Sequence, residues 1–186
     1  LRQKRSTGFR YAPAEMNCLH RQPICVASAL MVPMATLATP PWLGLDGVPP
    51  CWVVLWLLPW ALVDGPISGA LAGAALGLVL DGLTLDGLTL VPALIGLGWW
   101  WGRIGRRASP VQRSFNLGLL ALLGTGILGL TLLLQLLIGG GGSEVLEPSL
   151  WAWALHTLAC QTLVTGVLAP MLVSLQLLLW RRRVPA

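Results

Sequence analysis

The amino-acid sequence predicts an all-α fold: a polytopic membrane helical bundle of six transmembrane helices with both termini cytoplasmic. Composition is the first reason. Of 186 residues, 55% are hydrophobic and 10% charged, with a mean hydropathy of +0.75, whereas a soluble domain carries about 25% charged residues. So few polar groups cannot cover a water-soluble globule of this size, and the same numbers exclude disorder. The second reason is length, which accommodates about six spans of roughly 20 residues with short connections. The third is the order of the charges. All 12 Lys and Arg fall into three groups: Arg2, Lys4, Arg5, Arg10 and Arg21; Arg103, Arg106, Arg107 and Arg113; and Arg181, Arg182 and Arg183. Acids occupy the intervals, with Asp46, then Asp81 and Asp86, then Glu144 and Glu147; Glu15 and Asp64 stand apart. Cytoplasmic loops are enriched in Lys and Arg, so three basic groups on one side demand an even number of crossings between them. The net charge of +5 comes from these clusters rather than from a basic face, which argues against a nucleic-acid partner.

Taken in order, residues 1–22 form a basic tail and 23–183 a single six-helix membrane domain. Residues 1–15 precede the first methionine, Met16, and read as an extension outside the native protein. The alternative, a cleaved signal peptide with 24–39 as its apolar region, would upset the crossing parity. Spans are expected at 24–42, 50–63, 67–80, 84–101, 115–138 and 151–179. The second and third are short, near 20 Å each at the helical rise, against a hydrocarbon core of about 30 Å. Fusing 51–80 into one helix would leave five spans and strand the 103–113 arginines on the other side. Asp64-Gly65-Pro66 argues for two helices, because proline is accepted in a first turn and rejected in the interior; Asp64 is expected to cap there.

The 10 tryptophans agree with this map, since tryptophan concentrates at membrane interfaces. Trp42, Trp52, Trp151 and Trp153 fall near the outer face; Trp60, Trp99, Trp100, Trp101 and Trp180 fall near the inner one. Trp52, Trp56 and Trp60 share one helical stripe, expected to face lipid or pack.

Nothing marks an enzyme. Cys18, Cys25, Cys51 and Cys160 form no C-x-x-C pair, and His20 and His156 are the only histidines, so no metal or cofactor site is expected. Hydrolase, zinc-protease and nucleotide-loop signatures are absent. The run Gly139-Gly140-Gly141-Gly142-Ser143 lacks a lysine and reads as an outer loop. Asp81 and Asp86 lie in a tandem Asp-Gly-Leu-Thr-Leu repeat at a span end, where a solvated or helix-capping role is expected. Thr157, Gln161 and Thr165 share one face of the last span and are expected to hydrogen-bond between helices.

The most informative pattern is a ladder of glycines, Gly65, Gly69, Gly73 and Gly77, with Asp81 continuing its register. Spacing of four places them on one slowly drifting stripe. Such faces let a second helix approach closely, so the third span should be a packing seam, central in the bundle, with a partner inside the chain. The stretch Gly69-Ala-Leu-Ala-Gly73-Ala-Ala-Leu-Gly77-Leu-Val-Leu-Asp81, running through Gly87 to Gly96, resembles the MreD family of bacterial rod-shape-determining membrane proteins. The resemblance covers about 30–35 residues, with Gly69, Gly73, Gly77, Leu78, Asp81 and Gly87 at the matching positions. It implies a non-enzymatic scaffold of side-wall peptidoglycan synthesis in the cytoplasmic (inner) membrane, partnered with MreC and through it with MreB and the RodA-type polymerase and its transpeptidase. The helix-packing and partner seam would then comprise Gly65, Gly69, Gly73, Gly77, Asp81 and Gly87. The chain is also similar in size and span number to the substrate-binding (S) components of energy-coupling-factor vitamin transporters. That alternative implies an outer pocket with roles for His156 and Gln161.

Overall fold

The computed structural model describes residues 26–40, 43–84, 87–107, 114–139 and 148–183. The basic tail, Trp42, Asp86, Arg113 and the glycine-rich loop with Glu144 and Glu147 lie outside the described residues. A 3-10 turn at Ser28–Leu30 leads into α1 (Met31–Leu37); α2 (Trp52–Asp64), α3 (Pro66–Thr84), α4 (Val91–Arg107), α5 (Ser114–Gly139) and α6 (Pro148–Arg183) follow. Three helical segments are long and apolar enough to cross a membrane: Pro66–Thr84, Asn116–Gly139 and Ser149–Trp180. This is the build of a helical membrane bundle.

Two elements differ from expectation. The described part of the first apolar run is helical over 26–37, about 18 Å at the helical rise, and ends short of Pro40, which offers no N–H to continue the ladder. The fourth helix starts at Val91 rather than at 84. Helix α3 runs on to Thr84, and Gly87 turns with φ +72°. The break between α2 and α3 falls at Asp64-Gly65-Pro66: Gly65 adopts φ +97°, a region open to glycine, and Pro66 begins the new helix. Ahead of α2, Leu45 and Val48 bridge around Asp46 (φ 54°) and Gly47 (φ 80°), the doubly left-handed turn that Asp-Gly favours.

Helices α3 and α4 form one tight pair and α5 and α6 a second; α2 touches all four, and α1 packs on α2. The glycine-faced helix is therefore not the central one. Every residue from Val53 to Ala61 is buried, because α2 is apolar on all sides and can be satisfied only by full enclosure. Helix α3 is one-sided instead. It buries Gly69, Gly73, Leu76, Gly77 and Leu80 and leaves Ile67, Leu71 and Leu78 exposed.

Pro170 sits inside α6 and removes the donor that would serve the carbonyl of Gly166, four residues back. A Cβ on Gly118 of α5 would lie 3.0 Å from that same oxygen. The bare Gly118 Cα thus approaches the one carbonyl the proline has freed, where a weak Cα–H hydrogen bond can form.

Candidate functional site

The α3–α4 seam is built backbone against backbone. A Cβ on Gly69 would stand 2.5 Å from the Gly98 carbonyl oxygen and 2.8 Å from the Ala61 Cβ; one on Gly77 would stand 2.8 Å from the Val91 Cα. A side chain at Gly73 would strike the Leu94 carbonyl. The facing helix answers in kind, since Gly98 lies against the Gly69 carbonyl, Gly102 against Pro66 and Gly105 against the Leu62 carbonyl of α2. The Gly98-Trp-Trp-Trp-Gly102 spacing is itself a G-x-x-x-G signal, and it is the half of the seam that the sequence reading passed over.

The remaining expected seam residues lie at its two ends. Gly65 stands in the α2–α3 turn, where its bare side faces the Arg106 guanidinium, with Nε 3.4 Å from a Cβ placed there. Gly87 stands in the α3–α4 turn with nothing within 4 Å of an added Cβ. Asp81 spans that turn: its two carboxylate oxygens accept from the Leu90 N–H at 2.8 and 3.1 Å. A carboxylate here caps the start of α4, where unpaired N–H groups and the helix dipole favour negative charge. Beside it, Gln135 of α5 accepts from the Thr89 N–H at 2.9 Å and donates to the Thr89 carbonyl at 2.8 Å, so one amide ties the turn to the second helix pair.

The tryptophan stripe of α2 faces inward. Trp56 and Trp60 stack with centroids 4.9 Å apart and planes at 19°, and Trp180 of α6 meets both edge-on at 6.4 and 5.8 Å. An indole N–H in apolar surroundings needs an acceptor, and each indole of the Trp52, Trp56 and Trp60 stripe finds a hydroxyl. Trp52 donates to Thr39 at 2.9 Å, Trp56 to Ser28 at 2.9 Å and Trp60 to Ser68 at 3.1 Å; Ser68 in turn donates to Asp64. Across the bundle Thr165 of α6 accepts from the Cys51 N–H at 2.9 Å. Trp101 is the exception: fully buried, its ring presses on Gly124 of α5, and its Nε1 has no hydrogen-bond partner among the described residues.

The contacts place the described arginines at one end, together with Asp64, and Asp46 and Asp81 at the other. Trp180 touches Trp60, one turn above Asp64, and α6 continues from there into Arg181–Arg183; Arg106 reaches the same α2–α3 turn. At the other end lie Asp81, Gln135 and the exposed pair of His156 and Asp46, whose Nε2 and Oδ2 are 3.5 Å apart. The His156 ring also lies 3.6 Å from the Cys160 sulfur. An apolar groove of about 210 Å³ opens between α1, α2 and α6, with Met31, Val32, Trp52, Trp56, Leu172 and Gln176 among its walls. It does not include His156 or Gln161, the residues to which a vitamin-binding reading gives a role. No family model, curated protein or solved structure matches the chain.

Proposed function

We propose that the chain is a non-enzymatic, six-span scaffold of the cell-elongation machinery in the cytoplasmic membrane, of the MreD kind, with both termini cytoplasmic. The observation carrying this reading is the Gly69–Gly77 ladder running into Asp81. The stretch that resembles the family is also where α3 meets α4 backbone against backbone and where Asp81 caps the start of α4. A residue set devoted to fixing one helix pair suits a protein whose work is to present rigid membrane surface to partners. Arginines gathered at one end and Asp46 and Asp81 at the other support the orientation through the charge bias of cytoplasmic loops.

On this reading MreC is the direct partner, linking the bundle to MreB and to the RodA-type polymerase with its transpeptidase. Depleting the protein in its host should widen or round the cells and disperse side-wall synthesis. A tagged chain should co-purify with MreC. Unchanged cell width together with no MreC in the eluate would sink the proposal.

A further inference from the structure

One face of α4 changes character in steps along its length. Ile95, Trp99 and Arg103 are spaced by four and Arg106 follows three residues on, so they form a stripe. All four are exposed, Trp99 by 46%, with Trp100 beside it at 37%. From Ile95 to Arg106 the helix rises about 16 Å. Over that distance the surface passes from aliphatic to indole to guanidinium, the order in which a lipid leaflet passes from acyl chains through the interface to the phosphates.

The Arg103 guanidinium lies over the Trp99 ring, 4.8 Å from its centroid. Stacking of this kind uses the face of the cation and leaves its N–H donors directed outward in a planar fork suited to phosphate. Arg106 lies one turn further, against Gly65.

We propose that this end of the bundle binds the headgroup of an anionic phospholipid. Arg103 and Arg106 hold the phosphate, and Trp99 and Trp100 lie against the glycerol and upper acyl region. An acidic protein segment would satisfy the arginines and leave Ile95 and the two indoles unused; a lipid satisfies the whole stripe. The proposal rests on the membrane reading of the chain and is independent of a role in cell elongation.

The test uses the full chain in detergent, offered phosphatidylglycerol and phosphatidylcholine in equal amounts, with retained lipid counted by native mass spectrometry. Wild type should retain phosphatidylglycerol in excess, and Arg103→Gln and Arg106→Gln should each reduce that excess about fivefold, the effect of one interfacial cation. On wild type alone, raising salt from about 0.05 to about 0.5 M should erode the preference, which gives a readout free of any variant's folding. Equal retention of the two lipids, or a preference unchanged in R103Q/R106Q, would overturn the proposal. So would displacement of the lipid by an equal concentration of inorganic phosphate or of a poly-glutamate peptide. A chain that stays in solution without detergent would overturn the membrane reading beneath it.

Discussion

Replacing Gly69 with alanine tests the seam most directly. The new methyl carbon would sit 2.5 Å from the Gly98 carbonyl oxygen, 3.1 Å from the Gly98 carbonyl carbon and 2.8 Å from the Ala61 Cβ. Ordinary contacts begin near 3.5 Å, so α3 must draw back from α4 by most of an ångström. Two of the three obstacles are backbone, and no rotamer change relieves them. A gap of 0.5–1 Å forfeits roughly a quarter to a half of each contact's attraction along the seam, and overpacking of this kind costs about 1–3 kcal/mol. Alanine returns at most about 1 kcal/mol of helix propensity. Set against the middle of that range, about 2 kcal/mol, the net loss is about 1 kcal/mol, or roughly 2–4 °C in the midpoint for a chain of this size. Gly96 on α4 supplies the control, because an added Cβ there meets nothing within 4 Å; Gly96→Ala should leave stability unchanged or raise it by up to about 1 kcal/mol. Both variants are to be followed by thermal unfolding in detergent, monitored by fluorescence-detected size exclusion. Midpoints that move in the same direction, or an unshifted Gly69→Ala, would refute the backbone-contact account of the seam.

Two further outcomes follow from the hydrogen bonds. Asp81→Ala should cost about 0.5–2 kcal/mol by uncapping α4, and Asp81→Asn, which keeps an acceptor for Leu90, should cost less; hydrogen exchange at the first turn of α4 reads the difference. Trp56→Phe and Trp101→Phe remove the same atoms from buried sites, but the first abandons a bond to Ser28 and the second removes a donor without a described partner. Trp56→Phe should therefore cost more stability, by about 1 kcal/mol, read from the unfolding midpoints.

Much of this architecture could be read along the chain, and what could not has a common cause. Apolar runs mark the helices because a membrane helix must satisfy its backbone internally and show lipid an apolar surface. The Asp64-Gly65-Pro66 stop is local chemistry, legible from three adjacent residues. Half of the seam was legible as well, through the spacing of Gly69, Gly73 and Gly77; Gly98 and Gly102 carried the same signal, diluted by the three tryptophans between them. The start of α4 was misplaced because its cap comes from Asp81, nine residues earlier. The partners of the α2 indoles, Ser28, Thr39 and Ser68, lie on three different segments. Arg106 reaches the α2–α3 turn from the far end of α4. Each of these is decided by which helices become neighbours, and no periodicity within one helix encodes that.

The enclosure of α2 sets an order on the birth of the molecule. Its wrapping includes Thr165 and Trp180, on α6, which is made after every other described helix. At roughly 5–20 residues per second, about ten seconds separate the synthesis of Asp64 from that of Trp180. Through that interval the second helix stands without its final wall, its stacked indoles lacking the edge-on third ring. Closure of the centre is thus coupled to the synthesis of α6: a chain stalled before that helix holds its second helix with one wall missing and its stacked indoles uncovered.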